Sequence, residues 1–136
     1  MTLSPLAPDG FPDLPPIAGI KLGTAASGAR YQGRDDLLLI RLAPESSVAG
    51  VFTQSDTAAA PVGWSRQIAL TGTAAAIITN AGNANAFTGS HGDDAVHDMV
   101  NNLANHLDCD AGSIMVASTG VIGEPLDAAK LVPYFE

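Results

Sequence analysis

Apolar residues along this chain fall into short runs separated by Gly, Pro and amide-rich segments, and the runs predict the elements. Asp36–Ala43 (DLLLIRLA) is nearly continuously apolar, the pattern of a strand covered on both faces. Val48–Gln54 (VAGVFTQ) is β-branched and contains an aromatic, which predicts a second strand, paired to the first as a hairpin through the Pro44–Ser47 turn. Thr73–Thr79 (TAAAIIT) and Ser113–Ala117 (SIMVA) predict two more, and a short strand is expected around Ile20–Leu22.

Helical spacing is clearest after residue 90. Ala95, Val96, Met99, Val100, Leu103, Ala104 and Leu107 recur at i, i+3 and i+4, one apolar face of a helix. Ser90 and Asp93 form an S-x-x-D capping pattern at its start, and Asp108–Gly112 ends it. Pro61–Ala69 predicts a shorter helix with Trp64 and Ile68 on one side, and Pro125 opens a final helical stretch from Leu126 to Leu131. Two strand–helix–strand passages imply an α/β fold, a mixed β-sheet with helices layered on it. Five prolines (Pro5, Pro8, Pro12, Pro15, Pro16) set residues 1–16 apart as a Pro-rich N-terminal arm, leaving 17–136 as one domain.

Composition narrows the function classes. Six Lys plus Arg against 14 Asp plus Glu give a net charge of −8, which argues against nucleic acid as a ligand, since that affinity comes from clustered cations. No apolar run approaches the ~20 residues that span a bilayer, so no membrane partner is expected. The N-terminus has neither the basic nor the apolar region of a secretory signal, and a lone Cys109 fits a reducing compartment, so a cytoplasmic chain is expected. Alanine supplies 23 of the 63 apolar residues, so the core must rely on close backbone approach.

The usual chemical candidates are weak. His91, His97 and His106 have no i, i+4 pair to hold a metal on one helix face, and no metal site is expected. Cys109 sits between Asp108 and Asp110, opposite to the electropositive setting of reactive thiols. Asp93, Asp94 and Asp98 read as a solvated helix start, and no phosphate-binding glycine loop is present. Two segments carry more. In STGVIGE a strand delivers Ser118, Thr119 and Gly120 to a turn, where a Thr hydroxyl beside a Gly N–H offers the donor pair of an oxyanion hole. On local chemistry alone an ordinary strand exit with a Thr in it is the favoured reading. In NAGNANAFTG the amides of Asn80, Asn83 and Asn85 either knot a strand end or line a wall against a polar substrate, and local chemistry does not separate the two.

GVFTQSDTAAAPV (50–62), ITNAGNANAFTG (78–89) and VASTGVIGEPL (116–126), with AGIKLG (18–23) ahead of them, resemble in order and spacing the N-terminal region of the ornithine acetyltransferase/N-acetylglutamate synthase family of arginine biosynthesis. The resemblance runs from residue 17 onward. It implies the N-terminal portion of the self-cleaving ornithine acetyltransferase fold, here a partial alpha-chain domain over 17–136. It also implies acetyl transfer from N-acetylornithine to glutamate, with acetyl-CoA as a co-substrate in some members and no bound cofactor. In that family a precursor cuts itself before a threonine, which becomes the N-terminal nucleophile of a second chain. The family's oxyanion hole falls on Thr119 and Gly120 here, which reverses the reading from local chemistry.

The family's cleavage motif and nucleophile lie beyond STGVIGEP and have no counterpart before Glu136. The chain is therefore expected to be inactive alone and to need the rest of the alpha chain and the beta chain. Exposed edges and apolar patches predict self-association or such a partner. Two further readings stand beside this one: a non-catalytic binding or regulatory remnant of the fold, and a related N-terminal-nucleophile aminopeptidase.

Overall fold

The computed structural model describes residues 5–10 and 12–135. The rest of the Pro-rich arm lies outside them, and no helix or strand precedes Ile20 among the described residues. Four strands follow: β1 (Ile20–Ala25), β2 (Leu37–Leu42), β3 (Ala76–Asn83) and β4 (Ile114–Val121), in the order β1-β2-β3-β4. β1–β2 and β2–β3 are antiparallel and β3–β4 is parallel, so the sheet is mixed, as the passage pattern predicts. Helix α1 (Ala60–Thr71) links β2 to β3, and α2 (Ser90–Leu107) makes the crossover that a parallel β3–β4 pair requires.

The expected hairpin has a different partner. β2 pairs with β1, Leu22 opposite Ile40, and with β3 on its other side. A strand has two hydrogen-bonding edges, so none is left for 48–54. That segment runs as irregular chain after an isolated Ser47–Thr73 bridge. Three further boundaries shift. Gly89 (φ 57, ψ −144) is the cap of α2, so Ser90 lies inside the helix and its side chain makes no capping bond. The final helix is replaced by two 3₁₀ turns, Ala128–Lys130 and Val132–Tyr134: Asp127 is extended (φ −91, ψ 92) and interrupts the 126–131 stretch, and Pro133 has no N–H with which to continue it. β3 and β4 both run on into the amide-rich and STGV segments, which the apolar pattern alone assigns to loop and turn.

The core lies between the sheet and α2. Val96, Met99, Val100 and Leu103 face Leu37, Ile78, Ile114 and Val116, and Leu131 and Phe135 close one end. Burial along β3 alternates strictly, the helix-facing positions buried and the others half-buried. β2 is therefore covered on one face, not two: Leu37 and Leu39 join the core, while Leu38, Ile40 and Leu42 do not.

Helix α1 seals the outer edge of β4. Trp64 Nε1 donates to the Ile114 carbonyl at 2.8 Å, and Ser65 Oγ donates to the Val116 carbonyl at 2.7 Å while accepting from the Val116 N–H at 2.8 Å. Ser65→Ala is expected to leave both buried Val116 groups without partners and to cost about 1–3 kcal/mol. A lowered urea midpoint at unchanged slope is the check.

Candidate active site at the β3 and β4 ends

The two unusual segments meet side by side. The parallel register puts Asn80 opposite Ser118, Ala81 opposite Thr119 and Gly82 opposite Gly120, after which the register shifts at Gly82/Asn83. Ser118 Oγ donates to Asn80 Oδ1 at 2.6 Å, joining residues 38 apart in sequence. The Gly–Gly crossing is obligatory. Gly120 has φ +137, and a methyl there would fall on Gly82 C and lie 2.5 Å from Asn83 N. Gly82 (φ +105) is in turn covered by the Arg30 and Tyr31 side chains.

Thr119 is exposed, and its hydroxyl makes no hydrogen bond among the described residues. Main-chain groups of alternate strand residues point to opposite edges. Ile114 and Val116 point theirs at α1, so the same alternation sets the Gly120 amide on the outer edge beside the Thr119 side chain. A hydroxyl and an amide thus stand together at the open end of β4.

Two of the three amides of the NAGNANA segment are buried, and Asn83 is half-buried. Asn80 is buried, accepts from Ser118 and donates to the Asn83 carbonyl at 2.9 Å. Asn83 Nδ2 reaches the Glu124 carbonyl at 3.0 Å, and its Oδ1 accepts from the Asn85 N–H at 2.7 Å. Asn85, fully buried, donates to the Gly92 carbonyl at 2.9 Å and accepts from Thr88 Oγ1 at 3.1 Å. Its φ of 47 lies in the left-handed region that Asn tolerates. These side chains knit the β3 end to the 122–125 turn and to the start of α2. Asn85→Ala is expected to cost about 1–3 kcal/mol for each buried group left unpaired. Thermal unfolding read by circular dichroism checks it.

Residues 21–136 match the ArgJ family. The chain belongs to that family. The bifunctional ArgJ of Nitrobacter winogradskyi is 52% identical over 132 residues, and that of Agrobacterium fabrum 47% over 130. Those alignments take in 94% and 96% of this chain but 32% of each relative, so the chain spans about a third of the length of the curated relatives it matches. Two crystal structures share the fold. The Mycobacterium tuberculosis ornithine acetyltransferase, solved with ornithine, has TM-score 0.82 and 36% identity over 87% of this chain and 64% of its own. The Bacillus halodurans ArgJ has TM-score 0.81 and 32% identity over 87% and 62%.

In this chain the remaining candidates lie away from the β4 end. His91, His97 and His106 are exposed on α2, His97 packing edge-on to Trp64 at 5.0 Å, and Cys109 is half-buried. No group of three or more His, Cys, Asp or Glu among the described residues could hold a metal ion. A cavity of about 390 Å³ includes Asp56, Thr57, Asn85, Phe87 and Asp93 in its lining, and one of about 180 Å³ includes Arg30, Asn80, Asn83 and Glu124. Neither counts Thr119 or Gly120 in its lining.

The 27–31 segment escapes the sequence pattern altogether. Buried Asp36 accepts the Ser27 N–H at 2.6 Å on Oδ1, its carbonyl accepts the Ala81 N–H at 2.8 Å, and Arg30 pairs with Glu124 at 2.5 Å. Only the isolated charges of Asp36 and Arg30 could have signalled that role.

Proposed function

We propose that this chain is the N-terminal part of the alpha chain of an ArgJ-family acetyltransferase of arginine biosynthesis, and that Thr119 and Gly120 form its oxyanion hole. The observation that carries the reading is the Gly82–Gly120 crossing, which sets an unbonded Thr119 hydroxyl beside the Gly120 amide at the end of β4. A threonine nucleophile, freed by self-cleavage in a part of the protein outside this chain, attacks the acetyl carbonyl of N-acetylornithine. The carbonyl oxygen becomes anionic, and the two donors stabilise it as the charge develops. Collapse releases ornithine and leaves an acetyl-enzyme. The amine of glutamate then takes the acetyl group, losing a proton as the threonine hydroxyl is restored. The chemistry requires no metal or bound cofactor, acetyl-CoA being a co-substrate only for net N-acetylglutamate synthesis. A cytoplasmic location fits that metabolism.

The purified 136-residue chain, incubated with N-acetylornithine and glutamate, is expected to form no N-acetylglutamate. Substituting this chain for the matching third of the Nitrobacter winogradskyi ArgJ is expected to give a protein that does. Turnover by the chain alone overturns the division of labour, and an inert chimera that still cleaves itself overturns the assignment to this reaction.

A further inference from the structure

The exit of β4 is held from outside its own strand. Gly120 lies beside Gly82, and Gly82 is covered in turn by the 27–31 loop. A methyl on Gly82 would lie 2.6 Å from Arg30 Cβ, 3.0 Å from Arg30 Cγ and 3.2 Å from Tyr31 Cε2. From that position Arg30 Nη1 reaches Glu124 Oε2 at 2.5 Å, joining residues 94 apart in sequence. Glu124 belongs to the turn that follows Thr119 and Gly120, and its carbonyl accepts from Asn83 Nδ2 at 3.0 Å. The loop is anchored at its start, where the Ser27 N–H donates to buried Asp36 and Ser27 Oγ accepts the Ala29 N–H at 3.2 Å. One side chain therefore touches both sides of the Gly82–Gly120 crossing: its stem lies on β3 and its guanidinium holds the turn leaving β4.

We propose that Arg30 is a positioning residue for the oxyanion hole, fixing where Thr119 and Gly120 stand by clamping Gly82 with its stem and Glu124 with its guanidinium. The inference rests on the reading of Thr119 and Gly120 as oxyanion donors. The Arg30 and Glu124 side chains are 43% and 53% exposed. Exposed pairs of that kind contribute little to stability. Their location gives this pair another use. A hydroxyl and an amide stabilise an oxyanion only when held in place before the charge develops, and small misplacements of such groups cost rate steeply. The register shifts at Gly82/Asn83 and Gly120 sits at φ +137, so the regular ladder gives out just where the donors stand. Arg30 supplies a constraint at that point. Lys130 is the contrasting cation, pairing locally with Asp127 at 3.6 Å.

The test uses the chimeric ArgJ that carries this chain, with kcat expressed per self-cleaved enzyme. Arg30→Ala removes stem and charge together, and is expected to lower kcat at least about tenfold with KM within about twofold. Arg30→Lys is expected to recover most of that rate, and Lys130→Ala to leave it unchanged. Arg30→Glu and Glu124→Arg should each slow turnover, and together they should restore it. In a Thr119→Ala background Arg30→Ala should cost about threefold or less, since one of the donors it positions is already gone. Hydrogen exchange of the same proteins reads the clamp without reference to turnover. Arg30→Ala should speed exchange of peptides spanning 80–84 and 119–124 at least about fivefold and leave α2 unchanged. Glu124→Gln, which keeps the carbonyl tie to Asn83, takes the place of Arg30→Ala where that variant fails to fold. Unchanged kcat, a loss that multiplies in full with Thr119→Ala, or a charge reversal that the double variant does not restore each overturns the proposal and leaves the acetyltransferase reading standing. A wild-type chimera that cleaves itself but transfers no acetyl group sinks that reading instead. Local exchange then decides the clamp, which stands if Arg30→Ala loosens 119–124 and falls if it does not.

Discussion

Gly120→Ala is expected to be the most damaging single substitution in this chain. Its methyl would fall on the Gly82 carbonyl carbon, 2.5 Å from Asn83 N and 2.6 Å from Gly82 O. All three are backbone atoms of the paired strand, so no rotamer change relieves the clash. The residue also holds φ +137, a conformation that side chains other than hydrogen rarely adopt. Backbone strain and overpacking contribute about 1–3 kcal/mol each, against a total stability of about 5–15 kcal/mol for a domain. The urea midpoint should fall steeply, or cooperative unfolding should vanish. Gly23→Ala on β1 is the matched control, since nothing lies within 4 Å of the added methyl, and it should shift stability by no more than about 0.5 kcal/mol. Equal midpoints for the two variants would show that β4 can move away from β3 at little cost. Gly82→Ala should fall between them, because its methyl would lie 2.6 Å from Arg30 Cβ at φ +105, a clash relieved only by moving the 27–31 loop rather than a paired strand.

The same crossing shows where the sequence was legible. Helix α2 could be read almost residue by residue, because its apolar face is a local pattern that burial of Ala95, Val96, Met99, Val100, Leu103 and Ala104 then obeys. The strand ends could not, because Asn, Gly, Ser and Thr have low or context-dependent strand preference, and only pairing between distant segments holds 80–83 and 118–121 extended. Segment 48–54 failed for the converse reason. Its residues suit a strand, but both edges of β2 were already taken, and periodicity carries no information about vacancy. Thr119 and Gly120 stood out through family motifs rather than local chemistry, since an isolated Ser-Thr-Gly resembles any strand exit. The buried Asp36 tie to Ser27 and Ala81 had no motif at all and emerged only from the folded chain.

Thr119→Ala separates catalysis from folding more cleanly than any other change. The side chain is exposed, with no hydrogen bond to lose among the described residues, so stability should move by no more than about 0.5 kcal/mol. In the chimeric ArgJ the same change removes a donor that acts only when the carbonyl oxygen becomes anionic. The expected loss is about 10²–10³ in kcat, with KM nearly constant, because the ground-state carbonyl gains little from that donor. Thr119→Ser keeps a hydroxyl on the same β-carbon and should recover most of the rate. Self-cleavage must be followed in parallel on a denaturing gel, because cutting the precursor passes through its own tetrahedral oxyanion. A slow cut with slow transfer assigns the donor to both steps, and a normal cut with slow transfer confines it to the second. Unchanged kcat with intact cleavage removes Thr119 from the site, and the Gly120 crossing would then be architecture alone.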